Sequence, residues 1–139
     1  MLRCLTAVVV LSTFVLLAPA MAADKPVFED NFEKGADHWQ PTDPAAWKIT
    51  ETDQGKVYDQ FQQSKYKPPH RSPLNISLLK DVVVGDFVLT VKAKSTCREY
   101  GHRDMDIFFG YQDPAHFYYV HLGARPDAHS SQIMIVNGA

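Results

Sequence analysis

Apolar and polar residues alternate along much of this chain in short runs with a period of two, the spacing of half-buried strands. From Asp86 to Lys94, Phe87, Leu89, Val91 and Ala93 point one way, while Val88, Thr90, Lys92 and Lys94 point the other. Asp104 to Ile107 and Tyr118 to Leu122 alternate in the same manner. Trp47–Glu51 and Lys56–Phe61 form a further pair of runs around the turn Thr52-Asp53-Gln54-Gly55. Leu74–Leu79 and Ile133–Val136 read as short strands. Near the start, Phe28, Asp30 and Phe32 share one face of an opening strand that Gly35 ends, and Trp39 follows as a packing anchor. Helical periodicity is almost absent. The pattern predicts an all-β domain with antiparallel sheets packed face to face, an antiparallel β-sandwich.

The densest information lies in His102–Leu122. Gln112-Asp113-Pro114-Ala115 has turn chemistry, because Asp bonds its own backbone and Pro presets φ. With Tyr111 opposite His116, stepping outward pairs Phe109 with Tyr118, Ile107 with Val120 and Met105 with Leu122. Those pairs make one face apolar, and that face is expected to be the interior one. The other face carries Gly110 with Phe117, Phe108 with Tyr119 and Asp106 with His121, with Asp104 beyond. A one-residue slip would mix the two sets, so the sorting itself supports the register. Rings beside carboxylates suit a sugar, whose C–H faces stack while its hydroxyls donate to the acids. The alternative is an aromatic face covered by another segment.

Length and composition then set the frame. The chain has 139 residues and a formal net charge of −2, which offers nothing to nucleic acid or to an anionic membrane. Met1-Leu2-Arg3 is a positive start, Cys4–Ala18 an uncharged and mostly apolar run, and Ala20-x-Ala22 a small-residue cleavage pattern. Residues 1–22 therefore read as a secretory signal peptide, which implies a secreted or periplasmic product, and 23–139 as one domain. No later apolar run is long enough to span a membrane. Cys97 is the single cysteine left after cleavage, so no internal disulfide forms, and a lone thiol of this kind is expected to be a small buried apolar residue. Gln62–Pro73 is a proline-rich rim loop in which Tyr66, His70 and Arg71 are candidate ligand contacts, and Asn75-Ile76-Ser77 fits a glycosylation acceptor. Asn137-Gly138 is a hairpin signal with Ala139 directly after it. The expectation is a sandwich incomplete at its C-terminus, either a piece of a longer protein or one whose sheet a partner chain completes.

Phe28-Glu29-Asp30-Asn31-Phe32 with Gly35 and Trp39, the run Gly85–Lys92, and the hairpin from Asp106 to Val120 together resemble a jelly roll of the concanavalin A-like lectin/glucanase superfamily. More narrowly they are similar to exported bacterial proteins of the laminin-G or keto-disaccharide hydrolase type. The resemblance spans most of residues 23–139 and about half of such a domain. It implies binding or cleavage of a polysaccharide or oligosaccharide on a sheet face. It also makes calcium a possible cofactor, with Glu29 and Asp30 as possible ligands and no commitment to a metal.

Three chemistries follow for the mixed face. Laminarinase-like hydrolases carry Glu-x-Asp-x-x-Glu on one strand; here the similar stretch is Asp104-Met105-Asp106-Ile107-Phe108-Phe109, which lacks the final acid. Two carboxylates about 5 Å apart are what a retaining glycosidase requires. Polysaccharide lyases on jelly rolls use His and Tyr, a role open to His121 and Tyr119 with Asp106 orienting the ring and Arg103 neutralising a uronate. The non-enzymatic reading is a carbohydrate-binding domain whose ligand contacts are Arg103, Asp104, Asp106, Phe117, Tyr119 and His121. A purely structural domain, with a cross-strand Asp–His pair, is the fourth possibility.

Overall fold

The computed structural model describes residues 25–69, 74–101 and 103–138. The signal-peptide segment 1–22, the rim-loop residues His70 and Arg71, and His102 at the head of the hairpin stretch lie outside the described residues. The elements are β1 (Trp39–Pro41), a 3-10 turn (Pro44–Ala46), β2 (Trp47–Thr52), β3 (Gly55–Gln60), β4 (Ser77–Leu79), β5 (Met105–Asp113), β6 (His116–Leu122) and β7 (Gln132–Asn137). They form three small antiparallel sheets, β1–β4, β2–β3 and β5–β6–β7, none of which closes. Among the described residues the protein is all β apart from the single 3-10 turn.

The β2–β3 hairpin forms where the alternation places it, with Trp47 opposite Gln60 and Ile49 opposite Tyr58. Its turn is held by Thr52, whose hydroxyl donates to the Gly55 carbonyl (2.7 Å) and accepts from the Gln54 N–H (3.2 Å). Gly55 has φ +105°, a left-handed conformation that glycine adopts without a Cβ penalty.

Two expected strands are absent. Residues 28–32 form no strand and lead into a turn at 33–34: one Asp30 oxygen accepts from the Phe32 N–H (2.8 Å) and the other from Trp39 Nε1 (2.9 Å). Phe32 has φ +61°, which ends any extended run. Trp39 is a packing anchor as expected, against Phe32 (5.9 Å between ring centroids) and Tyr58 (6.0 Å). Residues 86–94 form no strand and pair with none, and Phe87, Leu89 and Val91 are more than half exposed. Only Ser77–Leu79 of the expected 74–79 strand is paired, against β1. The Asn75 Nδ2 atom, the acceptor in the glycosylation pattern, is buried. Cys97, expected to be buried, is exposed.

The β5–β6 hairpin keeps every expected pair from Phe109–Tyr118 outward: Phe108–Tyr119, Ile107–Val120, Asp106–His121 and Met105–Leu122. The turn end differs. Asp113, not Tyr111, lies opposite His116, and the register shifts between Phe109 and Asp113. The irregularity opposes residues 110–112 to Phe117 alone, two extra residues on β5. An even insertion leaves side-chain alternation in phase outside the irregularity, so the faces survive there, while Tyr111 within it turns to the covered face and stacks on Phe117 (5.7 Å). Gly110 permits it, with φ +57° and a position where a Cβ would lie 3.1 Å from the Tyr118 ring.

The sidedness is the reverse of the expectation. Ile76, Phe117 and Tyr119 form the buried centre, with Leu78, Phe108, Tyr111, Met134 and Val136 packed around it. The segment that enters β4 therefore covers the face with the aromatic and charged residues. The wholly apolar face, including Tyr118, Leu122, Ile133 and Ile135, faces outward. Aromatic rings supply more area per residue than the aliphatic side chains opposite them, so this face has the larger apolar burial to gain.

Candidate functional site

β5 and β6 bring Asp106 and His121 directly opposite each other on one face, and Asp104 precedes β5 by one residue on that same side. His121 Nε2 lies 3.1 Å from Asp104 Oδ2 and 4.0 Å from Asp106 Oδ1. The three side chains are 17% (His121), 21% (Asp104) and 24% (Asp106) exposed, so the cluster sits at the margin of the core and touches solvent.

The other ring nitrogen is also engaged. His121 Nδ1 lies 2.8 Å from the His129 carbonyl, which can only accept. Asp104 likewise accepts, so the arrangement suits a doubly protonated imidazolium that donates at both ends. Burial pulls the His121 pKa down, but the Asp104 hydrogen bond, the Asp106 charge and the His129 carbonyl outweigh it and raise it above the ordinary value. Burial raises the Asp106 pKa, the His121 charge opposes this, and the Asp104 charge adds to it. The Oδ1 atoms of Asp104 and Asp106 are both buried and accept no hydrogen bond.

The His129 carbonyl is presented by a compact loop between β6 and β7. Ser130 is buried there; its hydroxyl donates to the Arg125 carbonyl (2.9 Å) and accepts from the Asp127 N–H (3.2 Å). Asp127 in turn accepts from the His129 N–H (2.7 Å). At Gly123 a Cβ would stand 2.7 Å from the Ser130 side chain, so only glycine fits. Asp127 and Ser130 are turn-forming types, but no side-chain pattern announces a backbone carbonyl as a partner.

The remaining expected site residues separate from the cluster. Phe117 and Tyr119 are 2% and 8% exposed and belong to the core, not to an open stacking platform. The Tyr119 ring still lies 6.0 Å from His121 and walls the cluster on its inner side. Arg103 directs its guanidinium to Glu99 and to the Cys97 carbonyl (3.5 Å). Tyr66 approaches Tyr111, whose pKa is raised by burial and by the neighbouring Tyr66 and Asp113. Its loop is tied down by Asp43, which accepts from the Ser64 hydroxyl (3.0 Å) and the Lys65 N–H (2.7 Å).

Glu29 and Asp30 line a separate open hollow of about 540 Å³ with Asn31, Lys34, Gly35, Asp37 and His38. Both Asp30 oxygens already accept hydrogen bonds that shape the turn. Among the described residues, no group of three or more His, Cys, Asp or Glu is placed to hold a metal ion, and no helix is long and apolar enough to cross a membrane.

The chain matches no protein-family model, and no curated protein or solved structure matches it significantly.

Proposed function

We propose that this chain is an exported carbohydrate-binding β-sandwich domain of the concanavalin A-like, jelly-roll type, with Asp104, Asp106 and His121 as its polar sugar contacts. The observation that carries the reading is the partly exposed cluster at the margin of the sheet, where two carboxylates, Asp104 and Asp106 at 21% and 24% exposure, meet the His121 ring. Sugar hydroxyls are donors, and a carboxylate with a spare lone pair is the acceptor they seek. Export rests on the leader-like pattern of residues 1–22.

Binding is favoured over catalysis by the state of His121. A general base needs a ring nitrogen with a free lone pair, and both nitrogens face acceptors. Recognition on this reading is mainly polar, because the Phe117 and Tyr119 rings are committed to the core.

The test is a screen of the full chain against neutral and uronate polysaccharides, followed by titration calorimetry with any polymer that binds. Asp104→Asn and Asp106→Asn should each weaken binding at least about tenfold, the loss of one charge-assisted hydrogen bond. Absence of binding to every polymer, or affinity untouched by both substitutions, refutes the reading.

A further inference from the structure

We propose that residues 86–94 are a strap that closes antiparallel on the free edge of β5, with Lys94 opposite Asp104 and Lys92 opposite Asp106. The sheet order β5–β6–β7 leaves the outer edge of β5 without a partner among the described residues. Such an edge is a row of unpaired N–H and C=O groups, a template for one more strand. Among the described residues, the strap combines a full amphipathic alternation with no sheet of its own.

The register follows from matching both faces at once. Lys94–Asp104 and Lys92–Asp106 bring positive side chains to the two carboxylates whose Oδ1 atoms accept no hydrogen bond. The same register then places Ala93 beside Met105, Val91 beside Ile107 and Leu89 beside Phe109. These extend rows that already run across the sheet: Ile107–Val120–Ile133 and Phe109–Tyr118–Ile135. A slip of one residue would set lysines against the apolar rows. A slip of two would strand one lysine beyond the carboxylates. A parallel strap would run its apolar side past the start of β5.

Two further observations favour closure within one chain. The connection already turns back: the Arg103 N–H donates to the Tyr100 carbonyl (3.2 Å), and Arg103 is tied to Glu99 and the Cys97 carbonyl. The strap is also already sided, with Phe87, Leu89 and Val91 51–56% exposed against 94% for Val88. Closure adds an outer strand to the sheet and makes Lys92 and Lys94 neighbours of the Asp104–Asp106–His121 cluster. It does not depend on the cluster binding a sugar.

The test uses the full chain with Cys4→Ser and Cys97→Ser, so that only introduced thiols react. Val91→Cys with Ile107→Cys, oxidised by glutathione disulfide, should give an internally cross-linked monomer. Val91→Cys with Phe108→Cys, which sit on opposite faces, should not. No cross-link in the first pair, equal cross-linking in both, or a disulfide-linked dimer overturns the proposal, the last by assigning the edge to a second copy. Hydrogen exchange on the unmodified chain gives a check free of substitutions. Alternate amides of residues 87–94 should exchange at least about tenfold more slowly than those between them, since only alternate amides of an edge strand bond inward. Uniformly fast exchange along the strap overturns it.

Discussion

Two stretches of this chain carry nearly the same pattern and end in different structures. In β5 and β6 the alternating residues are paired, and pairing resumes beyond the irregularity at Gly110–Gln112 with the register shifted by two residues. In residues 86–94 the alternation is cleaner, yet the backbone is unpaired. Period two shows which side chains share a face; it does not say which backbone takes the hydrogen bonds. β5 and β6 have a turn between them that supplies the partner at short range, with Asp113 accepting from the Ala115 N–H (2.7 Å). The strap has only a longer connection to β5, so the entropy of closing that connection must be recovered from its contacts.

The largest effect that would sharpen the contrast is on packing. Phe117 lies at the centre of the covered face, 2% exposed, whereas Leu89 on the strap is 55% exposed. Phe117→Ala should cost about 3–5 kcal/mol, the usual range for a buried ring. That is a large share of the stability of a domain this size. Leu89→Ala should cost about 1 kcal/mol, in proportion to the smaller area it covers. Chemical denaturation of both variants measures the difference. Equal losses would mean that the two stretches are equally packed.

A second prediction concerns the element where an expected strand became a turn. Asp30 accepts from both the Phe32 N–H and Trp39 Nε1. Asp30→Ala leaves both donors unsatisfied and should cost about 1–3 kcal/mol, with the tryptophan fluorescence of the native state shifted. Asp30→Asn keeps one acceptor and should cost less. If the two variants are equally stable, the carboxylate does not hold the turn.

The sequence made the hairpin faces legible because side-chain parity survives an even insertion, as Gly110–Gln112 shows. It left the inside and outside of the sheet undetermined. Both faces of β5–β6 are rich in apolar atoms, and which one is buried depends on where Ile76 and Leu78 land, a contact remote in sequence. The opening strand failed for a local reason: an aspartate able to bond the backbone two residues on competes with extended structure. Within the site, the Asp106–His121 pairing was readable from register alone. Asp104 as the closer partner, and the His129 carbonyl, were not, because both depend on the path of the chain beyond the strand ends.

Gly110 gives a smaller effect on the same comparison. Its φ of +57° is left-handed, and a Cβ would lie 3.1 Å from the Tyr118 ring. Gly110→Ala should cost about 1–2 kcal/mol from the left-handed backbone. Because the insertion can relax by moving as a unit, the Asp106–His121 pairing should remain, as cross-strand amide contacts in NMR spectra would show. Loss of that pairing would mean that the irregularity sets the register instead of tolerating it.

The smallest effects separate the two ends of the β5–β6 hairpin by pH. At the open end, the folded-state pKa of His121 is raised above 6.5. Its protonated form is therefore favoured by folding, and the stabilisation is complete below the unfolded value and lost as pH rises through the folded one. Asp106, also raised, acts in the same direction from its ordinary value of 3.8 upward. At the turn end, the Ala115 N–H and the His116 side chain hold the Asp113 pKa below 3.8. Its contribution is present above the unfolded value and lost as pH falls through the folded one. Urea midpoints followed from about pH 3 to pH 9 should thus fall on both sides of a maximum. His121→Gln should flatten the alkaline arm, and Asp113→Asn the acid arm. The two substitutions act at opposite ends of the hairpin with no shared partner, so their effects should add. If His121→Gln left the alkaline arm unchanged, the hydrogen bonds to Asp104 and the His129 carbonyl would not be holding a charged ring.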